Sequence, residues 1–198
     1  TGLMLGTGTR VVATEKLHAQ GNIITTENAL DLAISGDGYF SVQQADGTIA
    51  YTRDGGFKLS AEGSLVTAGG QAILPAVVVP QNAASLTIGR DGIVTVELAN
   101  GGGSSQIGQL QLSRFVNNSG LQPIGRNLMQ QTNASGDPIV VIPGADGAGM
   151  LMQGALEASN VNVVEEMVNM IETQRAYEVN SKAISAADGM LRFLNNNL

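Results

Sequence analysis

Residues 39–53 read Tyr39-Phe-Ser-Val-Gln-Gln-Ala-Asp-Gly-Thr-Ile-Ala-Tyr-Thr-Arg53. Two β-prone runs flank Asp46-Gly47. Asp-Gly suits a tight hairpin turn, because Gly has no Cβ to clash at positive φ. The stretch therefore predicts an antiparallel hairpin. The same grammar repeats outward from it. Gly56–Ser60 and Ser64–Thr67 flank Glu62-Gly63, and Leu86–Ile88 and Ile93–Glu97 flank Asp91-Gly92. A further run covers Gln109–Val116, and Asn100–Ser105 reads as an exposed, flexible loop. Turn signals at roughly 8–12-residue spacing indicate a sandwich or barrel-like antiparallel β domain over residues 31–148.

The chain changes character near its C-terminus. From residue 160 onward there is one glycine, Gly189, and no proline. Asn162 and Glu165 have the spacing of a capping pair, and Glu165 and Glu166 suit the positive end of a helix dipole. Val163, Met170, Tyr177, Ile184, Leu191 and Leu198 then recur at a strict seven. Thr173, Asn180, Ala187 and Leu194 hold the companion positions, while Met167, Val168, Ile171 and Val179 widen the apolar face. Glu178–Lys182 and Asp188–Arg192 read as i, i+4 pairs. A sustained seven-residue repeat favours supercoiling against a partner helix, and polar residues at seam positions set register. The expected fold is mainly β with a long C-terminal α-helix. Its parts are a connecting segment (1–30), a Gly-rich antiparallel β domain (31–148) and a linker plus heptad-patterned helix (149–198). No second helix is visible in the chain to complete a coiled pair.

The composition narrows the functional classes. The 198 residues carry 10 Lys plus Arg against 17 Asp plus Glu, for a net charge of -7, which argues against nucleic-acid binding by phosphate neutralisation. With no Cys, thiolate catalysis, disulfides and cysteine-based zinc sites are excluded. The most apolar run, residues 72–80, is far shorter than a membrane span. His18 is the sole histidine and has no nucleophile-elbow signal beside it. Gly6-Thr7-Gly8 lacks the strand and helix of a dinucleotide site. Each Asp-Gly turn offers one carboxylate, which fits hairpin chemistry better than a calcium loop. Adjacent Glu165 and Glu166 point about 100° apart and do not converge for acid–base work. No enzyme, cofactor or metal site is expected. These features leave two classes, a structural subunit and a secreted β-rich ligand-binding module, the latter short of aromatic anchors with seven Phe and Tyr in all.

The run Asn160–Ile184, and within it Glu172-Thr-Gln-Arg-Ala-Tyr-Glu178, closely resembles the C-terminal signature of bacterial flagellar rod and hook proteins. Leu30–Phe40, Tyr51–Phe57 and Gly63–Val66 resemble the first part of that family's β domain, and Gly6–Gly8 with Gln20–Asn22 the stretch leading into it. The likeness spans nearly the whole chain and is strongest to the distal rod branch, with proximal rod or hook subunits as the alternative. It implies a structural subunit that self-assembles into a rigid hollow helical tube, with the helix lining the tube and the β domain outside. Such a tube would transmit torque from motor to hook and pass exported subunits. The implied helix seam comprises Val163, Met167, Met170, Ile171, Thr173, Tyr177, Asn180, Ile184, Ala187, Leu191 and Leu194. The implied partners are further copies, proximal rod and hook-side subunits, and the surrounding P-ring and L-ring bushing proteins, with no direct membrane insertion. The implied location is the basal-body rod crossing the periplasm, reached without a cleaved Sec signal peptide. The family also has an N-terminal helical segment, which residues 1–30 do not supply; that segment is the expected partner of the heptads.

Overall fold

Alternation and Asp-Gly turns shape most of the chain. The computed structural model describes residues 10–12, 14, 16–99 and 103–196, the last three by their backbone alone. The Gly6–Gly8 motif, Leu198 and the side chain of Leu194 lie outside the described residues. In chain order the strands are β1 (Ile23–Thr25), β2 (Leu32–Ser35), β3 (Phe40–Gln43), β4 (Ile49–Thr52), β5 (Phe57–Leu59), β6 (Leu65–Thr67), β7 (Ala72–Leu74) and β8 (Ala83–Ile88). They continue as β9 (Ile93–Leu98), β10 (Ser104–Gln109), β11 (Leu112–Arg114), β12 (Gln122–Gly125), β13 (Leu128–Gln130), β14 (Ile139–Val141), β15 (Met150–Gln153) and β16 (Ala155–Glu157). One helix follows, α1 (Val163–Asn196).

The hairpin at Asp46-Gly47 forms as the sequence indicates. Phe40 pairs with Thr52 and Gln43 with Ile49, and Gly47 takes φ +84° in the turn. Asp46 Oδ1 accepts hydrogen bonds from the Thr48 N–H (2.9 Å) and hydroxyl (2.6 Å). These bonds hold its carboxyl below the usual carboxylate range. Asp54 and Asp91 close their turns likewise, accepting from Gly56 N and Ile93 N. These three turns thus use their carboxylates on their own backbone, which is the Asx-turn chemistry of such residues.

The β3–β4 hairpin sits inside a seven-stranded sheet of order β12-β13-β4-β3-β7-β6-β5, and β8, β9 and β10 form a three-stranded sheet. Every named pairing is antiparallel. The core draws on the inner strands, while β12 is exposed along its whole length. Ile34, Phe40, Val42, Val94, Leu110 and Leu112 are wholly shut from solvent. Phe40 meets Phe57 edge-on at 5.0 Å, and Phe115 meets Tyr39 and Tyr51 in a second aromatic cluster. Burial pushes the Tyr39 and Tyr51 phenols up from their ordinary values.

Two expectations are corrected. The run Gln109–Val116 is not one strand: β10 pairs with β9, whereas β11 pairs with β14. Between them Leu110 is buried and donates its N–H to Gly92 O, so the chain leaves one sheet for another there. The loop around 100–105 is also shorter than composition suggests, because β10 already pairs Ser104 with Glu97.

The ends of the β unit close on each other. β1 pairs with β16 and β2 with β15. The strands after Gly149 therefore belong to the β body, which forms one compact unit through Ser159. The expected boundary at 148/149 moves some ten residues along for that reason. Residues 160–198 form the second unit. No helix among the described residues is long and apolar enough to cross a membrane.

Candidate assembly helix and its anchoring junction

α1 begins where the capping signal lies. Asn162 Oδ1 accepts the Val164 N–H at 3.2 Å, and Glu165 and Glu166 occupy the first turn. From there one continuous helix runs to Asn196, about 51 Å at 1.5 Å per residue. Asp188 and Arg192 form the expected i, i+4 pair at 3.0 Å, fully on the surface, whereas Glu178 and Lys182 form no ion pair in the structure.

Val163 through Phe193 are all exposed. Met170, Tyr177, Ile184 and Leu191 are each more than 60% open to solvent. The structure thus puts ten of the eleven seam residues on one exposed helix; Leu194 contributes its backbone. Thr173 hands its hydroxyl to Asn169 O at 2.8 Å, so this polar seam residue satisfies itself on its own helix. Soluble monomers rarely leave so large an apolar surface bare, and such surfaces mark contacts with other chains.

The β unit shows the opposite disposition. Its five aromatic side chains, Tyr39, Phe40, Tyr51, Phe57 and Phe115, are all buried, and only Tyr177 and Phe193 of α1 are exposed. A concave site of 420 Å³ is lined by polar groups, among them Thr52, Asp54, Gln71, Arg126 and Asn127. It offers no aromatic anchor.

A junction ties together the two ends of the β unit. Arg53 Nε donates to Glu157 Oε2 at 2.9 Å, and its Nη groups donate to the carbonyls of Gly38 (3.2 Å), Gly36 (3.1 Å) and Ile34 (3.5 Å). The guanidinium also lies 5.9 Å from the Tyr39 ring centroid. Glu157 Oε1 accepts the Gly21 N–H at 2.9 Å. Gln20 spans β2 and the turn after it, donating to Ile34 O and accepting from Gly36 N. His18 Nδ1 lies 3.2 Å from the Tyr39 hydroxyl. The sole histidine therefore packs within this junction. Arg53 and Glu157 are mostly buried. Their bond crosses 104 positions of sequence, so no local pattern could have revealed it. The only sequence signals were Gln20-Gly21 and Tyr51-Thr-Arg53 within the family-like stretches.

A β body with a buried core, clasped ends and a bare heptad helix defines a class: a structural subunit whose helix is completed by other chains. Comparison with known proteins gives the family. Residues 33–96 match the flagellar hook protein FlgE/F/G D1 domain, and residues 152–197 match the flagellar basal body rod FlgEFG protein C-terminal domain. The flagellar basal-body rod protein FlgG of Buchnera aphidicola (Schizaphis graminum) is 54% identical over 98% of this chain and 75% of its own length. FlgG of Borreliella burgdorferi is 46% identical over 98% and 74%, and FlgG of Bacillus subtilis 39% over 97% and 74%. The chain belongs to the FlgG family of flagellar basal-body rod proteins. It is a structural rod subunit of the flagellum rather than an enzyme, and it assembles with other rod and hook subunits in the basal body.

Proposed function

We propose that this chain builds the distal part of the rod as a stiff, hollow helical tube. In this reading α1 lines the inner tube, its seam from Val163 to Leu191 facing other helices, and the β unit forms the outer layer. The tube crosses the periplasm, turns within the P-ring and L-ring bushing, carries torque to the hook and passes exported subunits through its lumen. The carrying observation is the exposed seven-residue repeat on a helix of 34 residues. Torque along a tube requires many repeated heterologous contacts that generate a helix rather than a closed ring. The Arg53–Glu157 junction suits that load, because it clasps the incoming segment and the last strand to the same body.

Ile184→Asp in the complete gene tests the seam. Each copy would place a carboxylate between packed helices, at a cost of several kcal/mol or a forced protonation. Rods should be absent by electron microscopy while thermal melting of the β unit in the purified chain is unchanged. Normal rods would overturn the packed seam.

A further inference from the structure

The 420 Å³ cavity of the β unit is lined by three distant stretches of chain, and one of them keeps an uncommon backbone. β12 and β13 pair Gly125 with Leu128, so Arg126 and Asn127 are the central residues of the turn between them. Both take left-handed backbone, with φ +53° and +59°. A turn of that hand favours Asn or Gly at its first central position, because most side chains are strained there. Arginine holds that position here. Residues of the cavity wall fix the turn: Thr52 Oγ1 donates to Asn127 O at 2.9 Å, and Asn127 Nδ2 donates to Asp54 Oδ2 at 3.2 Å. Strained residues that their surroundings hold in place cluster where function needs them.

These bonds leave one charged group over. Asp54 Oδ1 accepts the Gly56 N–H, so both oxygens of that carboxylate are engaged. Gln71 Oε1 accepts the Thr67 hydroxyl, which turns the amide nitrogen into a further donor of the cavity lining. Arg126 makes no hydrogen bond and no ion pair among the described residues, with Asp54 or with any other. Arg53 and Arg114, by contrast, spend their donors on Glu157 and on Asp146 O. Arg126 thus stands exposed at the cavity with its planar fork unused, and that fork matches a carboxylate. Asp54 repels an anion that enters deeply, so a carboxylate is taken at the rim, where Arg126 lies.

We infer that this cavity seats an acidic side chain of a second copy, held at the rim by Arg126. The inference rests on the rod reading above and adds a contact of the β unit to it. Charge complementarity favours a second copy. The chain carries 17 Asp plus Glu against 10 Lys plus Arg, so carboxylates are what its own surface offers in excess. Exposed Glu27, Asp37 and Asp137 make no ion pair within their own chain. A cavity on one copy and a carboxylate elsewhere on the next form a heterologous contact, the kind that propagates along a helical tube.

Carbodiimide coupling reads this contact directly. Arg126→Lys in the complete gene keeps the cation and supplies an amine, and it should give rods. Carbodiimide activates a carboxyl in contact with that amine; the amine displaces the urea, loses a proton, and an amide forms. Treated rods should run as covalent multimers whose digest joins the substituted position to an Asp or Glu peptide of this chain. Treated rods of the unchanged protein, and the unassembled variant, should lack that peptide. Coupling only to Asp54 of the same copy, to another protein or to nothing would overturn the contact while leaving the rod reading intact. Absence of this protein from the rods would instead overturn that reading. A second measurement needs no variant: in unchanged rods Arg126 should react several-fold more slowly with an arginine-selective dicarbonyl than in the unassembled chain. Equal reactivity would overturn the contact even if Arg126→Lys assembled poorly. Arg126→Glu should cut rod yield several-fold with thermal melting of the purified chain unchanged, and normal yield would count against the contact.

Discussion

Gly55 and Gly189 mark the difference between the two units of this protein. A Cβ at Gly55 would lie 1.6 Å from Leu32 O, inside the packed β body. At Gly189 it would meet nothing within 4 Å. The same contrast runs through the large apolar residues: Phe40 and Ile34 are fully buried, whereas Tyr177 and Ile184 are more than 70% exposed. The β unit builds its own core and buries its aromatic side chains within one chain, although Leu17 and Val116 on it stay exposed. The helix leaves its apolar side chains for other chains, so its partners decide what its residues contribute.

The sharpest way to break this comparison is Gly55→Ala. The new methyl cannot be accommodated without moving the β2 backbone, where Leu32 N donates to Gly55 O at 3.0 Å. A loss of about 4 kcal/mol or more is expected, in the range of severe core changes. Denaturant unfolding of the purified chain measures it, and a near-native midpoint would show that the contact relaxes freely.

Arg53→Ala should have the next largest effect. It removes the partner of Glu157 and leaves the carbonyls of Gly36 and Gly38 without their donor, for a loss of about 2–3 kcal/mol. Hydrogen exchange should rise at Gly21–Thr25 and Ala155–Ala158 before it rises in β3 and β4. Uniform acceleration would mean that the junction is not a separate clasp. Arg53→Lys should restore little, since one ammonium cannot replace the planar fork that reaches Glu157 and three carbonyls.

Gly189→Ala should act in the opposite direction, adding about 1 kcal/mol of helix propensity. Circular dichroism of the unassembled chain should show a helix more resistant to heat.

The smallest effect concerns pH. Burial raises the Tyr39 phenol above its ordinary value of 10.0. The folded state therefore holds this proton more tightly than the unfolded chain. Its contribution is complete below pH 10 and is lost as pH rises through the folded value. Tyr39→Phe should flatten the alkaline part of the stability curve, and an unchanged curve would place the sensitivity elsewhere.

Several features were legible without the fold, because short-range physics decides them. Asp46-Gly47 makes its hairpin because only glycine takes that φ without strain, and the Asp46 carboxyl closes the turn on Thr48. α1 starts at Asn162 because that side chain can take an otherwise unsatisfied N–H, and the seven-residue repeat continues through the helix. What required the tertiary structure depends on long-range pairing. The split at Leu110 arises because the chain leaves β9 after the Leu110–Gly92 bond and β11 pairs with β14, and β15 and β16 close the β body by pairing with strands more than 110 residues earlier. Arg53 meets Glu157 only because those pairings bring the two ends of the unit together. A local pattern can specify a turn, a cap or a helical face; which distant strand completes a sheet is decided by the packing of the whole β body.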